Sequence, residues 1–577
     1  MRLILSIGLL FLMAGIFITP ENSAARQAEE SDGTLLPDID PQDIEIRSQY
    51  QARYPGLRRQ PILGFNPRPR IYQVDPDRLP WMESHEQVVA SLPVSAVSRP
   101  QGPEYRSVPF AEMKNGYGRI GAGSFYSPEA DLYANYEMGE GQWVSGRLNH
   151  LSGNGHLSDR ESSFRFLGLE GSVRSRLTDR SQLGARLALN SDFNRMLLLP
   201  DALQQSMGPA GRKSYNGAET GIRYRNYSNS VEYWDGGLDL EVFGLNQEAG
   251  DYSGELRDWN LSFDIGRTWA GTRLDETWAA EIDLQTGGYR FGSPGSGVQW
   301  MESGEYTWNQ VGIRARYQRM FDYKTILKSS LGFYQVTDAE NSYVIYLSPE
   351  LNLEHHLSDR ITLSGSFTGR PEHPNQMRYH NENRFLDIHN TIQHSYYLKG
   401  SGSIAVELLP GNTIQAGFSW QNSKNHPWYE RRNVGGGAGY YSIVYGNATI
   451  WSAWSGFMVQ LIPEVLWIDL EGYIQNPVTG SERIPFTESY GFDGSITIRP
   501  VQRLLLEGWT EIVGPKTNPQ GENVNSFLHL GARLEYRITE RIGVYGKMLN
   551  LLNQDYEIWD GYRERPFQVY AGITLKL

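Results

Sequence analysis

The chain has 577 residues, a net charge of −13, no cysteine, and 34 Tyr, 15 Trp and 21 Phe in a sequence of mean hydropathy −0.49. The missing cysteines exclude a lipoprotein anchor, disulfides and thiolate metal sites, and the acidic balance offers nucleic acid no basic surface. Beyond residue 25 no run approaches the ~18 apolar residues of a membrane-spanning helix, so any passage through a membrane has to be made by strands closed into a barrel. Such a wall is polar on average, because only alternate residues meet lipid, and it is rich in interfacial aromatics.

Arg2, the apolar run Leu3 to Thr19, Pro20 and the small residues Ser23-Ala24-Ala25 have the form of a signal peptide over residues 1–25, which predicts export. Residues 26–115 follow as a periplasmic or lumenal segment. Twelve of the 29 prolines fall between 26 and 111, without helix or strand periodicity. Within it the acidic Pro37 to Ile46 precedes the basic Arg58-Arg59 and Arg68-Pro69-Arg70. That order suits docking to a periplasmic partner or threading along a charged lumen wall, and equally a tether with solvated charges. The Asp cluster lacks the Gly and terminal Glu spacing of a calcium loop.

From Gly116 to Leu577 alternation takes over, and the expected fold is all-β, a transmembrane antiparallel barrel of about 22 strands. Gly116-x-Gly118-x-x-Gly121 matches the dinucleotide fingerprint by letter, but it lies within a strand and opens no helix. Three turns share one pattern: Leu177-Thr178-Asp179-Arg180, Leu357-Ser358-Asp359-Arg360 and Ile538-Thr539-Glu540-Arg541. Short polar turns of this kind belong on the periplasmic rim. Further tight turns fit at Gly139-Glu140, Asp322-Tyr323, Pro410-Gly411-Asn412, Pro463-Glu464 and Pro500-Val501-Gln502. Between them run the long connections Ser191 to Asn216, Arg370 to Ser395, Asn425 to Asn447, Gly514 to Asn525 and Asn550 to Pro566, expected as extracellular loops. Counting back from Leu577, short and long connections alternate and give 22 strands with both ends periplasmic.

Strand faces follow from the period of two. Leu528, Leu530, Ala532, Leu534, Tyr536 and Ile538 are expected to face lipid, and His529, Gly531, Arg533, Glu535 and Arg537 the lumen. Arg314 and Arg316 are expected inward in the same way, because a charge on the lipid face costs about 2–4 kcal/mol near the midplane. These residues mark a face, and a polar interior by itself defines no binding site. His373, His380, His389 and His394 crowd one long connection with Glu372, Glu382 and Asp387. Their spacings match no compact ligand pattern, so a solvated polar loop is expected there, with neither metal nor cofactor. No Ser, His and acid constellation gathers on one rim, and the chain is not expected to be an enzyme.

The last strand, Phe567 to Leu577, alternates apolar and polar residues to its end. Its Tyr570, Gly572, Leu575 and Leu577 resemble the C-terminal signal read by the barrel assembly machinery, with Leu577 where Phe is usual. The run Asn550-Leu551-Leu552-Asn553-Gln554-Asp555-Tyr556, then Trp559 and Gly561, resembles the C-terminal end of TonB-dependent receptor barrels. Lys114 to Gly123 resembles the first strand of a divergent subgroup, of Bacteroidetes type, that lacks the plug domain. The resemblance implies 22 strands, the outer membrane of a Gram-negative bacterium, contact with its lipids, and transport of a hydrophilic solute. The family's plug and energy-coupling box have no recognisable counterpart. A cylinder this wide normally has a filled lumen, so the N-terminal segment, inward-folded loops or a separate protein is expected to fill it. The alternative is a non-transporting barrel that holds a periplasmic or surface lipoprotein in an envelope complex.

Overall fold

The computed structural model describes residues 115–577, apart from 140, 157–161, 196–211, 250–251, 274, 293–303, 323, 339–342, 410, 435–436, 525, 560–561 and 577. The expected signal peptide and all of the Pro-rich segment except Asn115 lie outside the described residues, as do Gly561 and Leu577.

Long runs of alternating side chains with short polar breaks can satisfy their backbone only by pairing with their neighbours in sequence, and each strand here does so. The principal sheet has 23 strands, one of which, Glu482–Arg483, pairs only with Leu466–Thr479 at its end. The other 22 form a closed antiparallel ring, because the first strand, Gly116–Gly123, pairs with both Ser127–Gly139 and the last strand, Gln568–Lys576. Closure leaves no open edge.

One rim carries the tight turns. In each of the three turns of shared pattern the hydroxyl of Thr178, Ser358 or Thr539 accepts from the amide two residues on, at Arg180, Arg360 and Arg541, over 3.2, 3.3 and 3.2 Å. The other rim carries most of the long connections, with two departures. At Ser124-Phe125-Tyr126 the chain reverses tightly, both aromatic residues taking positive φ. Asn425 to Asn447, expected as a loop, is instead the top of a hairpin in which Asn412–Val434 pairs with Gly437–Ile462. Register shifts occur between Ser423 and His426 and between Arg431 and Asn433; the first absorbs Asn425, at φ 51°, and the ladder resumes through Pro427, paired with Tyr445.

The outer face is an apolar belt that includes Ile120, Leu240, Ile282, Ile313, Phe333, Leu353, Phe418 and Ile573, all exposed. Ile313 lies at the centre of Glu305–Phe321, beside the inward Arg314. Replacing Ile313 by Arg is expected to cost about 2–4 kcal/mol, read as a lower urea midpoint for unfolding from lipid vesicles.

The ring is stapled where its ends meet. Across the seam Glu129, Gly121, Gly572 and Tyr545 form one row of paired positions on four successive strands. Neither glycine has a side chain, so Tyr545 lies over the inner wall and its hydroxyl donates to Glu129, which also takes the Lys547 ammonium at 2.6 Å. Glu129 and Lys547 are both buried.

Candidate functional site

The connection between Ile361–Glu372 and Ser395–Leu409 folds into the barrel mouth. Asn375 opens a short helix, Gln376–Glu382, by accepting from the Arg378 amide at 2.8 Å, and Arg378 pairs with Glu372 and Glu382. Past the helix, Phe385, Leu386, Ile388 and Ile392 are completely or almost completely buried, as are Met377 and Tyr379 within it. They pack against Phe243, Leu245, Leu256, Tyr289, Phe291, Tyr429 and Tyr441 of the wall, each contributing about 1.5–3 kcal/mol of burial.

Polar groups hold this segment to strands around the ring. Asn375 donates to Glu241, at the middle of Tyr233–Ala249, and the Gln376 amide donates to Asp258 at 2.7 Å. The Ile392 amide donates to the Tyr289 hydroxyl at 2.8 Å, and the Asp387 amide to the Tyr441 carbonyl at 2.8 Å. The Ile443 amide donates to Asn390 at 2.9 Å, and Arg384 reaches Glu564 at 3.9 Å. A segment tied at once to strands starting at 233, 252, 276 and 437 and to the connection before the last strand lies across the lumen.

The expected solvated loop at Arg370 to Ser395 is therefore corrected. His373 is 8% exposed, His380 and His394 are 0% exposed, and His389 lies against Phe291. The physical reason is the interleaved Met377, Tyr379, Phe385, Leu386, Ile388 and Ile392, which take the histidines down with them. His373 stacks on Trp308, centroids 3.9 Å apart, and His394 bonds to Asp338, which follows Thr325–Thr337.

Lys213, buried in the wall, extends its ammonium to His380 Nδ1 at 3.0 Å and to the carbonyls of Arg384 at 3.0 Å and Leu386 at 2.6 Å. Burial, then the Lys213 charge, pushes His380 well below its ordinary 6.5. A neutral, buried His stabilises the inward state above 6.5 and withdraws that stability as pH falls below it, since only the solvated ring takes the proton freely. Glu382, raised by burial above 4.5, acts in the opposite sense. The expected result is that His380→Leu lessens the acid-induced exposure of the segment between pH 6.5 and 5, with His373 supplying the remainder, measured by protease cleavage within 373–394.

The residues expected to face the lumen are largely paired. Arg314 reaches Glu281 at 3.0 Å and Glu350 at 3.7 Å, and Arg316 also pairs with Glu281. Arg533 meets Glu507 at 2.7 Å, and Glu535 meets Lys576 at 3.6 Å and Thr574 at 3.3 Å. Arg537 stands half-buried at the tight-turn end of its strand, its amide donating to Arg503. At the C-terminus Tyr570 is buried and Gly572 sits in the seam, while Leu575 is exposed on the outer face.

The C-terminal motif has a structural reading. Asn550 and Asn553 take φ of 49° and 48°, and Asn550 accepts from Gln554 and donates to the carbonyls of Gln554 and Arg565. Asn553 accepts from the Phe567 amide at 2.9 Å, and the Leu551 amide donates to Leu530. Tyr556 stacks on Phe527, and Trp559 packs on Tyr429, Tyr441 and Phe486 in the mouth. Beside it an open pocket is lined by Glu382, Tyr473, Phe486, Glu488, Glu511 and Trp559.

No protein-family model matches the chain, and no curated protein is similar to it in sequence. Solved structures do share its architecture. The ferric yersiniabactin uptake receptor of Yersinia pestis is 12% identical with a TM-score of 0.63, over 80% of each chain. A siderophore receptor of Acinetobacter baumannii is 8% identical with a TM-score of 0.61, over 81% of this chain and 82% of that one. A copper transporter is 11% identical with a TM-score of 0.62, over 80% of each chain. The fold is thus a closed β-barrel of the TonB-dependent receptor type.

Proposed function

We propose that this protein is an outer-membrane transport barrel for a hydrophilic solute, with residues 373–394 as its gate. The observation that carries the reading is a closed 22-strand ring, apolar outside and charge-paired inside, whose mouth is crossed by one segment of its own chain. The rim with the long connections faces the medium, and Tyr570, Gly572, Leu575 and Leu577 serve recognition by the assembly machinery. Arg314, Arg316, Arg533, Glu535 and Arg537 form paired lumen walls, which select by screening charge along the path.

The similarity in fold to uptake receptors and a transporter supports movement of solute over enzymatic chemistry. Residues 1–25 direct export, and residues 26–115 form a periplasmic or lumenal segment. Packing of the mouth segment into a true apolar core favours a second reading, in which the barrel stays shut and holds an envelope partner. Proteoliposomes decide between them. Flux of small sugars or amino acids that responds to opening of 373–394 supports transport, whereas absent flux together with a stoichiometric lipoprotein in the purified complex supports the scaffold.

A further inference from the structure

Asp338, His373 and His394 each offer one ligand atom, and the three atoms lie within 4.8 Å of one another. They come from two connections, Asp338 after Thr325–Thr337 and the two histidines from the two ends of the mouth segment. We propose that these three residues bind a divalent transition-metal ion of the zinc class, which locks the segment to the barrel wall.

The donor set suits such an ion, since two imidazoles and one carboxylate are borderline ligands that favour it over calcium or magnesium. Ligands about 2.1 Å from a tetrahedral centre stand about 3.4 Å apart, so small side-chain adjustments complete the site. The structure gives no hydrogen-bond partner of ordinary geometry to either ring nitrogen of His373 or to Nε2 of His394, although both rings are more than nine-tenths buried. Buried polar atoms left in this way ask for a ligand. Burial, then His394, holds His373 far below its ordinary 6.5, so it presents the neutral imidazole that coordination requires. Trp308 stacks on the His373 ring and meets the His394 ring edge-on, and the Asn425 side chain donates to the His394 backbone carbonyl at 3.3 Å, so both residues are held from outside the site.

The lock rests on reading the segment as a gate, whereas metal binding does not. The test uses the full chain in detergent micelles, stripped with chelator and titrated with Zn2+, with Co2+ as a spectroscopic probe. One equivalent bound, a Co2+ visible band, and at least about a hundredfold weaker binding in Asp338→Asn and His394→Gln support the site. Each variant is first required to show the compact, unheated gel mobility of a closed barrel. No stoichiometric binding by the wild type, or unchanged affinity in folded variants, overturns it and leaves an Asp338–His394 hydrogen bond alone. Hydrogen exchange reads the lock separately: protection of 373–394 that rises with Zn2+ supports it, and equal protection with and without metal overturns that part only.

Discussion

Replacing residues 375–392 with a short Gly-Ser linker is expected to turn a closed mouth into a wide pore, raising single-channel conductance in planar bilayers by about an order of magnitude or more. The wall itself should survive the change, because Glu372 and Ser395 are paired neighbours and a short turn can join them. What is lost is the core of Met377, Tyr379, Phe385, Leu386, Ile388 and Ile392 that fills the lumen between distant strands. A variant that stays silent, and conducts only when residues 26–111 are removed as well, would move the seal to the N-terminal segment. Silence in both would show that the remaining connections or a bound partner close the barrel.

The second large effect is expected at the seam. A side chain on Gly572 would strike the Ile120 carbonyl and Gly121 Cα, and would displace the Tyr545 ring. Gly572→Val is expected to prevent closure, abolishing the fast-migrating unheated band that marks a folded barrel. Tyr545→Phe keeps the ring but removes its donation to Glu129, which retains Lys547. That variant should close and lose only about 1–3 kcal/mol. If Gly572→Val assembles normally, the row of small residues across the seam has no structural role.

The wall was legible in the sequence because a barrel strand repeats locally. Period two assigns Ile313 outward and Arg314 inward from their immediate neighbours, and the shared Thr178, Ser358 and Thr539 turns mark one rim by their own hydrogen bonds. Asn425 to Asn447 was misread because its Asn, Pro and Gly content has the composition of a loop, while bulges let the hairpin pass through it. The mouth escaped for a different reason. Lys213 meets His380 from 167 positions away and Asp338 meets His394 from 56, and neither separation leaves a periodic trace. Asp258 and Glu241 are equally silent, since polar residues are what any inner wall supplies. The available signal was the apolar content between the histidines, Met377 to Ile392, which a solvated loop has no need of.

The wall is uneven in height. Asn412–Val434 and Gly437–Ile462 have 23 and 26 residues, whereas Gly116–Gly123, Ile542–Leu549 and Gln568–Lys576 at the seam have 8, 8 and 9. At ~3.4 Å per residue and a tilt of ~40°, eight residues rise only about 21 Å, less than the ~25 Å apolar band of such barrels. Hydrophobic mismatch is expected on that side, met by local thinning of the bilayer or by flanking side chains that reach back to the interface. The seam between the first and last strands is thus the stretch of wall with the smallest apolar height to bury, and the place where lipid is expected to be most perturbed.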